Sequence, residues 1–131
     1  MLFEVGKLYS RKDVCRLLRV PLEQTQGNWF TGYTSYNGEH FVFVNIETAG
    51  RTGHAYGDHW TQDHMLYWHG KVGSNMYTPT IQKMIAKDAV VHIFTRDDNR
   101  NPHFVYRGIG RVHSIENSCP VQITWAINKP E

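Results

Sequence analysis

The residues best suited to chemistry are concentrated between positions 54 and 77. This stretch contains histidines at five-residue intervals, with aspartates next to two of them: His54, His59, His64 and His69, and Asp58 and Asp63. A five-residue interval scatters side chains around a helix and alternates them across a strand, whereas known metal motifs bring their ligands to one face. The spacing therefore argues against a metal site. An enzyme that uses this histidine-rich segment for a small ligand or a metal is kept as an alternative.

Other catalytic patterns do not occur in the sequence. It has no closely spaced cysteine pair for zinc, no GxSxG, no phosphate-binding glycine loop and no acidic pair followed by ExK. Cys15 and Cys119 are far apart, and nothing local favours a disulfide, so we expect two reduced thiols. These observations predict a binding domain with no cofactor. Any nuclease or helicase activity would belong to a fused or partner domain.

The histidine-rich stretch is also rich in aromatic rings. Tyrosines and tryptophans stand there beside carboxylates, and Tyr33 and Tyr36 precede them in the chain. A pocket for cytosine needs a ring that stacks on the base and a carboxylate that accepts its amino group. The residue types therefore favour recognition of a nucleic-acid base over catalysis.

Length and composition are those of one globular domain spanning residues 1–131. The chain is 40% apolar and 20% charged, with a net charge of +2. Proteins that only coat phosphate backbones are usually more basic, so any DNA binding must depend on a local site. No signal peptide and no apolar run of about 20 residues is present, which predicts a soluble, cytoplasmic protein.

Local patterns predict two helices and several strands. Ser10 and Asp13 form a capping arrangement before Val14, Leu17 and Leu18, and Thr78-Pro79 opens a second helix with Ile81, Met84 and Ile85 on one face. Asn37-Gly38 predicts a hairpin turn. Gly108 and Gly110 predict a bulge or bend within a strand. The predicted strands are 28–33, 40–46, 65–68, 90–95, 104–112 and 121–127, and the segment 48–63 has no period.

These elements predict an α+β fold: a strongly bent, mostly antiparallel sheet or β-barrel flanked by two helices. The predicted core contains Trp125 and Phe94, together with Ile93 or His92 and Val42 or Phe43. Alternation along a strand does not by itself say which neighbour points inward.

The order of short motifs resembles the modification-sensing domain at the C-terminus of type IV restriction helicases and in related nuclease fusions. The similarity covers nearly the whole chain. Its motifs are Tyr9-Ser-Arg-Lys-Asp-Val14, Gln26-Gly27, Phe41-Val-Phe-Val-Asn45, Ala55-Tyr56-Gly-Asp58, Leu66-Tyr-Trp68-His69-Gly70-Lys71, Val91-His-Ile-Phe94-Thr-Arg96, Phe104-Val-Tyr-Arg-Gly108 and Ser114-Ile-Glu-Asn-Ser-Cys-Pro120-Val-Gln-Ile-Thr-Trp125.

This resemblance implies a sensor of modified double-stranded DNA in a restriction system, with 5-methylcytosine as the ligand and an SRA/PUA-like barrel as the fold. Tyr56 and Asp58 match the Y-x-D element of the family, Trp68 its core tryptophan and Arg96 the end of its F-x-R strand. Where many relatives have Gln-Ser-Gln, this chain has His69-Gly70-Lys71. The preferred modification or its sequence context can differ accordingly. The chain is either a stand-alone reader or a part of a larger restriction protein.

Together, the residue types and the resemblance predict two sets of DNA-binding residues. The modified-base pocket is assigned to Tyr56, Asp58, Trp68, His69, Tyr33 and Tyr36, with Glu47 as a further candidate. Contacts to the DNA backbone are assigned to Lys71, Arg51, Arg96 and Arg11. An alternative within DNA binding is a reader of a backbone modification such as phosphorothioate, for which Ser118-Cys-Pro120 is the nearest candidate.

Overall fold

The computed structural model describes residues 2–46, 58–62 and 64–127. Within these ranges the strands are β1 Leu8–Ser10, β2 Tyr33–Tyr36, β3 Glu39–Asn45, β4 His59–Gln62, β5 Met65–His69, β6 Val91–Arg96, β7 His103–Glu116 and β8 Gln122–Ile127. The α-helices are α1 Arg11–Leu18 and α2 Pro79–Ile85. Neither helix, nor any other among these residues, is long and apolar enough to cross a membrane.

The strands form one sheet in the order β2-β3-β6-β7-β8-β5-β4, and β1 pairs with the first part of β7. Only β3 and β6 run parallel among the described pairs, so the predicted α+β class with a mostly antiparallel sheet is confirmed. The barrel alternative is wrong for the described part of the chain, because β2 and β4 end the sheet without pairing with each other. Side chains connect β2 to β5, where the rings of Tyr33 and Trp68 meet at 5.3 Å.

The sheet bends along β7. The first half of this 14-residue strand pairs with β6 and its second half pairs with β8. Opposite β6, the register shifts by one residue beside Gly108, whose φ of 117° suits glycine. The predicted bulge is therefore present. Gly110 allows a close approach, because a Cβ there would lie 2.9 Å from Ile93 Cγ1.

Hydrophobic side chains are buried on both faces of β3 and β6. One cluster, on the side of α2, contains Val42, Ile93, Trp68 and Trp125, and a second cluster, beneath α1, contains Phe41, Phe43, Phe94 and Trp29. Both members of the predicted pair Val42 and Phe43 thus belong to the core, as do Ile93, Phe94 and Trp125. Alternation could not choose between neighbours because neither face of these strands is open to solvent.

Both helices begin where the sequence predicts. The side chain of Ser10 accepts from the Asp13 backbone N–H at 3.0 Å, and the Asp13 carboxylate accepts from the Ser10 N–H at 2.8 Å. This capping box satisfies two backbone donors that the first turn would otherwise leave unpaired. The second helix has Thr78 as its N-cap and Pro79 in its first turn, and buries Ile81 and Met84.

The prediction of a strand over residues 28–33 is wrong except at its last residue. Gly27–Phe30 forms a 3₁₀ turn that buries Trp29 against Phe41, with ring centroids 5.6 Å apart. This tertiary contact outweighs the local strand preference of the aromatic residues. The hairpin turn is confirmed, because Asn37 and Gly38 both have positive φ, as a two-residue turn of this kind requires. Sequence patterns missed β1 and β4, which have three and four residues.

A chain of hydrogen bonds crosses the α1 side of the sheet and leads to a testable dependence on pH. His92 Nδ1 lies 2.9 Å from the Tyr106 hydroxyl, and His92 Nε2 lies 2.6 Å from Glu39 Oε1. Burial, with smaller effects of Glu39 and Tyr9, raises the pKa of Tyr106 to about 12. The unfolded chain loses this proton near pH 10. The free energy of unfolding should therefore fall as the pH rises from 10 to 12, by about 2–3 kcal/mol from this group.

Urea unfolding at several pH values between 9 and 12 would measure this effect. We expect Tyr106→Phe to show a shallower loss of stability with pH than the wild type. Tyr77→Phe, which changes an exposed tyrosine, should keep the wild-type slope. Equal slopes for wild type and Tyr106→Phe would contradict the assignment.

Candidate nucleic-acid interface

Strand β5 separates the predicted pocket residues onto two faces of the sheet. Leu66 and Trp68 point into the core, and Tyr67 and His69, which alternate with them, are partly exposed on the opposite face. Trp68 is 2% exposed, and its ring meets that of Trp125 at 5.8 Å. Its position is that of a core residue, which favours a packing role for Trp68, and its assignment to the modified-base pocket stays a prediction.

On the open face of β5, side chains form an acidic–aromatic cluster of Asp58, His59, Tyr67, His69 and Gln122. Asp58 Oδ1 accepts from the His69 backbone N–H at 2.9 Å and lies 3.2 Å from His69 Nδ1. The Tyr67 ring lies 5.1 Å from the rings of both His59 and His69. Two predicted pocket residues, Asp58 and His69, are thus in direct contact.

Polar atoms of the cluster are held by hydrogen bonds. The Tyr67 hydroxyl donates to Gln122 Oε1 at 2.5 Å. Burial, with smaller effects of the Glu116 and Asp58 charges, raises the pKa of Tyr67, whose hydroxyl would be protonated at neutral pH even without this shift. The cluster presents aromatic edges and faces beside a carboxylate, which are the groups that recognition of a cytosine base requires.

A second feature, the basic groove, lies between the β2–β3 hairpin, the loop 70–78 and α2. Its volume is about 990 Å³, at the upper end of the usual range for ligand sites. Three of the predicted site residues line it: Tyr33, Tyr36 and Lys71. Lys83 of α2 adds a second ammonium, and Asp88 is the acidic residue of the lining.

Lys71 is held in place on the wall of this groove. Its ammonium lies 4.4 Å from the centroid of the Tyr33 ring, and its backbone N–H donates to the Tyr33 hydroxyl at 3.3 Å. Burial lowers the pKa of Lys71. At Gly70 a Cβ would lie 2.5 Å from Ser74 Oγ, and that hydroxyl donates to the Lys71 carbonyl at 2.6 Å. Gly70 therefore allows the loop to close tightly beside Lys71.

The groove also contains His40, which sequence reasoning did not select. It is 5% exposed, and its Nδ1 lies 2.7 Å from Ser35 Oγ. Burial, with a smaller effect from the charge of Lys83, lowers the pKa of His40 and favours the neutral ring. The feature of the sequence that could have identified His40 is a histidine at the start of an otherwise apolar strand. Lys83 carried no signal beyond its place on a helix.

The remaining predicted residues lie in three places. Tyr36 is half-buried and packs against Trp29 at 6.3 Å. Arg11 and Arg96 both lie over the Phe104 ring, with guanidinium carbons 5.3 and 4.3 Å from its centroid. The predictions for Tyr56, Arg51 and Glu47 fall outside the described residues.

The structure also describes some of the residues assigned to the two alternative functions, the enzyme that uses the histidine-rich segment and the reader of a backbone modification. In the ranges that the structure describes, no three His, Cys, Asp or Glu side chains are grouped to hold a metal, and His54 and Asp63 lie outside those ranges. Ser118 and Pro120 lie in the turn between β7 and β8, where Ser118 Oγ donates to the Pro120 carbonyl at 2.9 Å. Both cysteines are free.

Residues 3–130 match the family model described as "Domain of unknown function (DUF3427)", and the chain belongs to that family. Among solved structures it is similar to the MspJI restriction endonuclease in complex with a 27-mer oligonucleotide, with a TM-score of 0.47 and 11% sequence identity. That match covers 95% of this chain and 33% of the other, so the chain spans about a third of the length of that endonuclease chain. No curated protein matches the sequence.

Proposed function

We propose that this domain binds double-stranded DNA that contains a modified cytosine, with 5-methylcytosine as the first candidate, and acts as the sensor of a modification-dependent restriction system. The choice of modification comes from the motif order Tyr56-Gly-Asp58, Leu66–Lys71 and Phe94–Arg96 and its resemblance to modification-sensing domains. A nuclease or helicase that acts on the bound DNA would be fused to the domain or associated with it.

The observation that carries the proposal is the junction of two features at the end of β5. His69 belongs to the acidic–aromatic cluster, and Lys71 lies on the wall of the basic groove. The Cα atoms of His69 and Lys71 are two residues apart and lie no more than about 7 Å from each other, so the cluster and the groove adjoin along the chain at the end of β5. Such a pairing suits a ligand that carries both a base and a phosphate.

Asp58 supplies the acceptor for the amino group of the base. An ionised carboxylate is a strong hydrogen-bond acceptor, and Asp58 already accepts from the His69 backbone N–H at 2.9 Å. Tyr67 and His69 supply ring surfaces next to it. Because a protein ring can stack on the face of a cytosine only when the base leaves the duplex stack, the proposal includes extrusion of the cytosine.

The test is a binding titration with two duplexes of one sequence, one methylated and one unmodified. One methyl group in an apolar contact contributes roughly 1–3 kcal/mol, so we expect a preference of about ten- to hundredfold for the methylated duplex. A third duplex with phosphorothioate linkages separates base recognition from backbone recognition. Equal affinity for the methylated and unmodified duplexes would overturn the 5-methylcytosine proposal.

Lys71→Ala is expected to weaken binding to methylated and unmodified duplexes by the same factor. The slope of log affinity against log salt should become shallower by about 1, because one phosphate contact is lost. Lys7→Ala is the matched control, since it also removes one lysine, which is exposed and paired with Glu4 at 2.9 Å. A change in the methylation preference with an unchanged salt slope would contradict the phosphate role of Lys71.

A further inference from the structure

Two arginines that are distant in sequence come together at the carboxyl ends of the parallel strands β3 and β6. Arg96 ends β6, where it pairs with Asn45 of β3, and Arg11 begins α1. Both guanidinium groups contact the ring of Phe104, which is 1% exposed. Their distances from that ring place the two charges within about 10 Å of each other, about one Debye length at 0.1 M salt.

Hydrogen bonds hold both guanidinium groups but leave several donors. Arg96 Nε donates to Asn45 Oδ1 at 2.7 Å, and its Nη1 donates to the Asn101 carbonyl at 2.6 Å. Arg11 Nη1 donates to the Trp29 carbonyl at 3.2 Å. A guanidinium has five N–H donors, so the bonds made among the described residues use one donor of Arg11 and two of Arg96.

The charge of this pair is compensated only in part: burial lowers the pKa of Arg96, and the nearby charge of Asp98 acts in the opposite direction. Within the described residues neither arginine forms an ion pair with a carboxylate, and the partners of Arg96 are an amide and a carbonyl oxygen. Asp13, on the same helix as Arg11, is bonded to Ser10 and Arg16, and Asp98, near Arg96, is bonded to Arg100. Burial lowers the pKa of Arg11, and the nearby positive charge of Arg96 lowers it further.

We propose that Arg11 and Arg96 form a subsite for a phosphate group. A phosphate relieves the repulsion between the two guanidinium groups and accepts their remaining N–H donors, and arginine suits this geometry better than lysine. The inference deepens the proposed function, because a DNA strand is one source of such a phosphate. A free phosphate or a nucleotide is the other.

Thermal unfolding with and without inorganic phosphate, at matched ionic strength, tests the subsite without DNA. Bound anion stabilises the folded state, so phosphate should raise the melting temperature of the wild type more than that of Arg11→Gln or Arg96→Gln. Arg96→Lys should keep part of this response, because it retains the charge. Arg16→Gln is the matched control on the same helix, and its response should equal that of the wild type. An equal response in all five proteins would overturn the subsite.

DNA binding by the same variants identifies the source of the phosphate. For a DNA phosphate, Arg96→Gln should make the salt dependence of duplex binding shallower by about 1 and leave the ratio of methylated to unmodified affinity unchanged. Arg96→Gln can instead lose the rise in melting temperature with phosphate and keep the wild-type salt dependence of duplex binding. That result assigns the subsite to a small phosphate ligand. If the wild type binds both duplexes equally, the 5-methylcytosine proposal fails, and the melting experiment still decides the subsite.

Discussion

Trp68→Ala is expected to lower the free energy of unfolding by about 3–5 kcal/mol, the usual loss when a large aromatic side chain is deleted from a core. The indole is 2% exposed and contacts the rings of Tyr33 and Trp125. Its removal leaves a cavity at the place where β2 and β5 approach each other without backbone pairing. Urea unfolding monitored by circular dichroism measures the change.

Trp68→Phe keeps the test decisive if the alanine variant does not fold, and it should be less destabilised because it fills part of the space. Trp60→Ala is the comparison, since that ring is half-buried, contacts Arg107 at 5.3 Å and should contribute less. The alternative is a base-stacking role for Trp68. A Trp68→Ala protein of wild-type stability that has lost its affinity for DNA would show that role instead.

Asp58→Ala should abolish the preference for methylated DNA and leave weak, salt-sensitive binding to any duplex. The preference at stake is about ten- to hundredfold, and the residual binding depends on lysines and arginines that the variant retains. Competition between the two duplexes at several salt concentrations measures both properties. Glu23→Ala, which removes a carboxylate from an exposed turn, should behave as the wild type.

Asp58→Asn separates recognition of the base from support of the β5 end. The asparagine oxygen can still accept the His69 backbone N–H, which Asp58 accepts at 2.9 Å. The asparagine NH₂ group, however, is a donor, and it would face the amino group of the base, which is also a donor. We therefore expect Asp58→Asn to lose the preference as Asp58→Ala does. If only the alanine variant loses it, Asp58 acts by positioning His69. If Asp58→Ala folds normally and still prefers methylated DNA, the pocket lies elsewhere, and the next candidates are Tyr33, Tyr36 and Glu47.

Features that depend on neighbouring residues could be predicted from local sequence patterns alone. Ser10 and Asp13 are three positions apart, so they cap α1 in any fold that keeps this helix. Asn37 and Gly38 tolerate positive φ, and the turn between β2 and β3 follows from them. Gly108 likewise marks the bulge in β7. In each case the interaction lies within a few residues of the pattern that predicts it.

Which site residues meet depends on tertiary packing, and local patterns could not predict it. Alternation along β5 separates Trp68 from His69, but burial against Tyr33 and Trp125 is what places Trp68 inside and leaves His69 beside Asp58. The parallel pairing of β3 with β6 puts Arg96 beside Asn45, and the packing of α1 on the same sheet brings Arg11 to Phe104. A local pattern can predict that a segment forms a strand, but it does not predict which strands lie beside it. Contacts between distant residues depend on the order in which the strands pair.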